Sequence, residues 1–290
     1  MAGLSTLVRR NVRLYFADRA GVFFSLLGAM IAIFLVLLFL KSTIVDSMVE
    51  RFAGLASEDQ ASDVLDAWLV ASACVIASGT TGLGALGQYV RDRESGTWKD
   101  FLASPLPRWT ITLGYLLSAS VVSALMTTLV YAGGTGFCLS AGVPLAAQDV
   151  LVGWGWLMLS CLSFTAVFGF AVSWLRTSNA FSGLSIIAGT LFGFLAETYA
   201  NAGALPKSVS DVLNSLPFAQ ASALVREPYT AEALAALPEP LRQPTSESLG
   251  ILLSVGDTRI TVPLIVAVLA GVAVVGYVAS WLTMSRRVCS

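Results

Sequence analysis

The 290-residue sequence contains no histidine and little charge, and both absences exclude functions. Without histidine, the chain cannot form a Ser-His-Asp triad, an imidazole metal site or the usual haem ligand. Its four cysteines are scattered, so we expect neither a zinc site nor a structural disulfide. Charged residues make up 12% of the chain, against roughly 25% in an ordinary soluble domain. The composition therefore argues against a soluble enzyme.

A phosphate-binding loop is also absent from the sequence. Such a loop needs glycines ahead of a Lys-Ser or Lys-Thr pair, because its backbone N–H groups surround the phosphates. The nearest segment, NAGALPKS at 201–208, has Asn201 and Pro206 where the motif needs glycine. We therefore expect that the chain does not hydrolyse ATP by itself, and we expect no catalytic residue, cofactor or metal in it.

Long apolar runs dominate the remaining sequence, with 56% hydrophobic residues and a mean hydropathy of +0.77. A helix rises ~1.5 Å per residue, so about 20 apolar residues cross a hydrocarbon core of ~30 Å. Backbone groups in lipid must be bonded within their own segment, which favours helices. We predict an all-α integral membrane protein with one transmembrane domain, 1–290. Its six predicted spans cover about 21–40, 67–89, 110–138, 150–175, 180–196 and 261–283.

The distribution of lysine and arginine predicts the orientation. Eleven of the 17 basic residues fall on the side that holds both termini, and six fall on the other side. Because the richer side is normally cytoplasmic, we expect both termini in the cytoplasm. This arrangement predicts a multi-pass protein of the bacterial inner membrane.

The predicted spans contain no Asp, Glu, Lys or Arg, whereas proton-driven and ion-driven transporters usually keep such a group at mid-membrane. Energy for transport would then come from elsewhere, and the cargo would be lipophilic or amphipathic. The residues predicted to line its path are Ser78, Thr80 and Thr81 in the second span and Thr190, Phe192 and Phe194 in the fifth. The alternative is helix packing, in which hydroxyls bond to backbone and glycines allow close approach. The second span carries four such glycines: Gly79, Gly82, Gly84 and Gly87.

The first 20 residues predict an amphipathic helix lying on the inner membrane surface. Apolar residues recur at helical spacing while arginines hold the other side, as in helices that lie flat on anionic lipid. The alternative is a simple positive-inside anchor. The residues assigned to this interfacial helix are Arg9, Arg10, Arg13 and Tyr15, with Leu4, Leu7, Val8 and Leu14 on its apolar side.

A charged segment, YVRDRESGTWKDFLASPLPRW at 89–109, separates the second and third spans. Trp98, Phe101 and Leu102 stand at i, i+3 and i+4, so they share one face of a short helix over 97–104. Ser104 and Pro105 then end this helix. An apolar face on a charged helix needs a partner, either lipid headgroups or a groove on another protein. The residues alone leave both alternatives open.

The sequence RDRESGTWKDFLASPLPRWTITLGYLL resembles the cytoplasmic loop of type-two ABC transporter permeases. In that family the loop, here 90–109, contains the coupling helix that docks on the ATPase subunit. Three further segments resemble the family: LVRRNVRLYFADRAGVFFSLL, WLRTSNAFSGLS and LPFAQASALVREPY. The residues assigned to ATPase coupling are Arg93, Glu94, Gly96, Thr97, Trp98, Phe101, Leu102, Ser104 and Pro105.

The resemblance implies the permease subunit of an ATP-driven exporter working by alternating access. It implies cytoplasmic ATP-binding-cassette ATPase subunits that hold ATP and magnesium, a second permease copy or paralogue, and membrane lipid as partners, with no nucleic acid. A membrane scaffold or signalling subunit is the alternative. A lipid-modifying enzyme is disfavoured, because the predicted spans carry no acids or histidines.

The predicted extracytoplasmic region, 197–260, is too apolar to be a linker. Val209, Val212, Leu213, Leu216 and Phe218 have helical spacing. One possibility is a helix that dips back into the membrane. The other is a surface helix on the loop between the first two spans.

Overall fold

The computed structural model describes residues 2–35, 41–51, 55–104, 106–199, 206–256 and 258–287. These residues form thirteen helices and one short antiparallel hairpin, so the all-α prediction is confirmed. The helices are α1 (Ala2–Ala17), α2 (Arg19–Leu35), α3 (Lys41–Arg51), α4 (Glu58–Glu94), α5 (Thr97–Ala103), α6 (Arg108–Ser140), α7 (Ala147–Val172), α8 (Ser178–Leu195), α9 (Lys207–Asn214), α10 (Pro217–Tyr229), α11 (Ala231–Ala235), α12 (Glu239–Ser248) and α13 (Val262–Arg287). The strands of the hairpin are β1 (Ser254–Val255) and β2 (Thr258–Arg259).

Five described helices are long and apolar enough to cross a membrane: α4, α6, α7, α8 and α13. They coincide with five of the six predicted spans. The remaining predicted span, 21–40, overlaps α2, but its residues 36–40 lie outside the described part of the chain. The chain is thus a multi-pass membrane protein, and a total of six spans stays a prediction.

α4 is longer than the span predicted at 67–89, because polar groups cap its first turn. The Ser57 side chain accepts a hydrogen bond from the Gln60 backbone, and the Gln60 side chain accepts one from the Ser57 backbone. This reciprocal capping box satisfies two N–H groups at the start of a helix. α4 therefore begins at Glu58, well before its apolar part.

α4 is the central helix of the bundle. It contacts α6, α7, α2 and α8, and α13 packs on the far side of α7. The end of the bundle that carries α1 and α5 is here called the inner end, and the opposite end, with α3 and α9 to α12, the outer end. Most of the apolar part of α4 is buried.

Small and hydroxyl-bearing residues allow the helices to pack closely. A side chain at Gly87 would meet the Phe181 ring at 2.8 Å, so only glycine lets α4 and α8 approach this closely. Ser123 of α6 donates to the Ser78 carbonyl of α4 at 2.6 Å. These contacts confirm the helix-packing interpretation, since close approach is the main source of helix association in lipid.

The outer end has two parts. α10 lies against α4, α7 and α13, and most of its residues are buried, so the surface-helix alternative does not hold for 217–229. α3, α11 and α12 instead form a second apolar cluster around the outer turns of α4, with Met48, Trp68 and Leu234 among its members. Only the α10 part of 207–229 packs against the spanning helices, whereas α9 contacts α10 and β1 and leaves Val209 and Val212 exposed.

Candidate functional site

The predicted short helix in the charged loop is confirmed as α5. It begins after Gly96, whose φ of 82° lies in the left-handed region that glycine adopts without strain. It ends at Ser104, whose hydroxyl donates to the Phe101 carbonyl at 2.6 Å. The turns at Gly96 and Ser104 thus fix the position of α5 next to the inner end of α4.

The apolar face of α5 packs on its own chain at Trp98, whereas only lipid headgroups or another protein were expected from the sequence as its partner. Trp98 is only 8% exposed, and its ring centroid lies 5.5 Å from that of Tyr89 and 5.7 Å from that of Tyr115. The half-buried Phe101 lies under the Arg10 guanidinium, 5.0 Å from its carbon. Aromatic pairs at these distances add stability beyond the area they bury.

Two charged side chains lie on the exposed side of α5. Its exposed residues are Lys99, Asp100 and Ala103, and Thr97 is half-buried. The side chain of Leu102 and the whole of Pro105 lie outside the described part of the chain. Any partner docking on α5 from the inner side meets this polar surface.

Asp92, in the last turns of α4, organises a buried polar network. Its carboxylate is bound by both terminal nitrogens of Arg10, at 2.6 and 3.1 Å, by Gln88 at 2.7 Å and by the Tyr115 hydroxyl at 2.5 Å. Hydrogen bonding to Asp92 raises the pKa of Arg10. The network joins α1, α4 and α6 next to α5.

This network corrects part of the interfacial-helix prediction. Arg10 faces inward to Asp92, whereas Arg9 and Arg13 are exposed as predicted for a basic surface. Tyr15 is buried and bonds to the Ser25 hydroxyl at 2.6 Å. α1 is thus packed on α6 and α4 along one side and leaves two arginines free for lipid headgroups.

We expect Arg10 and Asp92 to be strongly coupled in a double-mutant cycle. Arg10→Met and Asp92→Asn each leave a partner unpaired, so the double variant should lose about 1–3 kcal/mol less than the sum of the single losses. Thermal unfolding of the purified protein in lipid measures this difference. The pair Arg13→Met and Asp92→Asn is the control, and strict additivity for Arg10 would contradict the network.

Arg93 and Glu94 connect the charged loop to the turn between α7 and α8. The Glu94 carboxylate accepts from the Ser178 backbone at 3.0 Å and also from the Ser178 hydroxyl. Arg93 donates to the carbonyls of Ser173 and Leu175, both at 3.4 Å. Because Ser178 is the first residue of α8, the end of α4 ties α5 to α8.

A cavity of about 910 Å³ lies between α2, α4 and α8. Of the predicted path residues, Thr80, Thr190 and Phe194 line it. The prediction is wrong for Ser78, Thr81 and Phe192 as lining groups of this cavity. Ser78 and Thr81 are fully buried and donate to backbone carbonyls of α4, and Phe192 packs on Phe164 and Phe218. The tight packing around α4 leaves these three no access to the cavity.

The outer end is held by Arg226, which lies in the segment LPFAQASALVREPY and for which no role was predicted from the sequence. It is fully buried, and its carbon lies 4.8 Å from the centre of the Trp68 ring. Its nitrogens donate to the Ser72 hydroxyl at 2.8 Å, to the Ala196 carbonyl at 2.9 Å and to the Leu249 carbonyl at 3.3 Å. One side chain thus joins α4, the end of α8 and the segment after α12.

The buried charge of Arg226 interacts with the charge of Glu197. Burial lowers the pKa of Arg226 to about 9, and Glu197 opposes this change electrostatically. Glu197 is itself buried, which raises the pKa of its carboxyl. A pKa of about 9 still leaves the guanidinium charged at neutral pH. The position of Arg226 after Pro217 and Ala221 in α10 was the available sequence signal.

These features define an all-α membrane protein with a cavity between spanning helices and a charged loop helix tied to one cavity wall. The model of the ABC-2 type transporter family matches residues 2–227, and the chain therefore belongs to that family. It is the membrane-spanning permease component of an ABC transporter, distinct from the ATPase component. A comparison with curated proteins finds no relative of this chain.

Proposed function

We propose that the chain is the pore-forming half of an ATP-driven exporter that moves a lipophilic or amphipathic compound out of the cytoplasm. A second copy or a paralogue would complete the pathway. Two cytoplasmic ATP-binding-cassette subunits, carrying ATP and magnesium, would supply the energy. The proposal places both termini in the cytoplasm and the complex in a bacterial inner membrane.

The observation that carries this proposal is the connection from α5 to the cavity wall. α5 presents a polar surface on the inner end, and its apolar face is packed on Tyr89 and Tyr115. Through Glu94 and Ser178 the same loop holds the first turn of α8, which lines the cavity. A displacement of α5 by a partner would therefore move α8 as well.

Alternating access follows from this connection. Closure of the ATPase pair on ATP would press the two coupling helices together and move the helix bundles relative to each other. The cavity between α2, α4 and α8 would then change from open inward to open outward. In this scheme the permease supplies the binding site, and its partner performs the hydrolysis.

Exchange of the two charges on the exposed side of α5 tests the proposal. The variant Lys99→Glu/Asp100→Lys keeps the net charge but places like charges opposite each other at a complementary interface, which costs several kcal/mol. Co-purification with the ATPase subunit should fall by roughly tenfold or more. The thermal stability of the permease should not change, because both side chains are exposed.

Arg9→Glu is the matched control, since it changes an exposed charge at the same end of the bundle but outside the loop. We expect this variant to retain its ATPase. If the exchanged variant also retains a full complement of ATPase, α5 is not the docking surface and the exporter proposal loses its main support.

A further inference from the structure

The cavity between α2, α4 and α8 contains a single kind of charge among its described lining residues. Among them, only Arg91 is charged at neutral pH. Every other described lining residue is apolar, carries a hydroxyl or phenol group, or is glycine. Arg91 projects from the inner part of α4, near Ser182 and Ser185 of α8. The cavity thus has a cationic inner end and an apolar body.

The guanidinium of Arg91 is available to a ligand. Its Nε donates to the Gln88 side chain at 3.2 Å, and it makes no ion pair with a residue in the described ranges. The two nearby carboxylates are engaged elsewhere. Asp18 accepts from the Gly21 backbone at 2.9 Å, and Glu94 is bound by Ser178. No acidic side chain of the described part of the chain therefore forms an ion pair with Arg91.

The rest of the wall suits the apolar part of a small amphiphile. Phe24 and Ile31 of α2, Leu83 of α4, and Ile186 and Phe194 of α8 all line it. A volume of about 910 Å³ is in the range of pockets that hold drug-sized ligands. The volume and apolar lining of the site thus favour one apolar chain or ring system over a two-chain lipid.

We propose that this cavity selects a drug-sized amphiphile with an acidic headgroup, a carboxylate or a phosphate, which Arg91 binds at the inner end. The inference rests on the proposed function, because it names the chemical class of the exported cargo. Arginine forms paired, charge-assisted hydrogen bonds to carboxylate and phosphate. A cationic headgroup would be repelled at the same place, and a neutral one would gain no charge-assisted hydrogen bond from the exposed guanidinium.

A photocrosslinking experiment on the full-length protein tests this charge preference. p-Benzoylphenylalanine placed at Ile186, which is exposed and lines the cavity, would capture a bound probe in nanodiscs of phosphatidylcholine. The probes are pyrenyldodecanoic acid and pyrenyldodecyl trimethylammonium, which share the apolar part and differ in charge. We expect roughly tenfold more capture of the acid, because the free energy of one charge-assisted hydrogen bond corresponds to about that ratio of affinities.

Variants of Arg91 identify the group responsible. Arg91→Gln should reduce capture of the acid to the level of the ammonium probe, and Arg91→Glu should reverse the preference. Arg91→Lys should retain part of it, because the charge remains. Arg176→Gln is the matched control, since Arg176 is an exposed arginine near the inner end that does not line the cavity. It should leave both captures unchanged.

Three results would overturn the proposal. These are equal capture of both probes, an unchanged preference in Arg91→Gln, and complete displacement of the acid by a few per cent of phosphatidylglycerol in the disc. The last result would assign the cavity to resident membrane lipid. Capture needs no ATPase subunit, so it can succeed even if co-purification with an ATPase fails. The charge preference and the exporter proposal can thus fail separately.

Discussion

Replacement of Trp98 by alanine is expected to destabilise the permease itself and to abolish transport. Trp98 is buried between Tyr89 and Tyr115, and removing a buried tryptophan side chain typically costs about 3–5 kcal/mol. Without this contact α5 would no longer be held against α4 and α6. Thermal unfolding in lipid and ATP-dependent transport in proteoliposomes measure the two effects.

Trp109→Ala is the matched control, because Trp109 lies at the start of α6 near the same end and is 50% exposed. We expect this variant to unfold within about 0.5 kcal/mol of the wild type. A different pattern would contradict the packing seen at Trp98. If Trp98→Ala kept full stability and lost only its ATPase, Trp98 would face the partner after all.

Replacement of Arg226 by methionine should be similarly damaging at the outer end. The change would remove the buried donor to the Ser72 hydroxyl and the shorter hydrogen bond to the Ala196 carbonyl, while the Leu249 carbonyl would keep only its bond from Trp68. Removing one partner of a buried charged pair costs about 3–5 kcal/mol of folding stability. We expect a low yield of folded protein, measured by size-exclusion chromatography in detergent and by thermal unfolding.

Arg226→Lys should rescue little, since one ammonium group cannot reach three separate segments as a guanidinium does. Arg259→Met is the control, because Arg259 is exposed in β2. It should change stability by about 0.5 kcal/mol or less. Wild-type stability of Arg226→Met would show that these three segments are held together by their apolar contacts alone.

The membrane helices could be predicted because their signal is local. Twenty apolar residues have few alternatives in lipid, and five of the predicted spans coincide with long apolar helices. α5 was predictable for the same reason, since Trp98, Phe101 and the following Ser104 define a short amphipathic turn within a few residues. Local spacing thus predicts which segments are helical.

The partners of these helices could not be predicted in the same way. Arg10 and Asp92 are 82 positions apart, so their charges alone say nothing about whether they meet. Trp98 shows the same limit: its spacing predicts an apolar face but does not say whether that face covers the chain itself or another molecule. In an all-apolar span, helical periodicity also cannot separate Thr80, which lines the cavity, from Thr81, which is buried.

α4 is a single uninterrupted helix that reaches from the second apolar cluster at the outer end to the charged loop at the inner end. Its 37 residues give a length of about 55 Å, nearly twice the ~30 Å of a hydrocarbon core. No proline interrupts it. It can therefore act as a lever pivoted near its middle, where a tilt of about 10° moves its two ends by about 5 Å in opposite directions. In the proposed exporter, a displacement of the charged loop would then be accompanied by an opposite displacement of the outer end of α4.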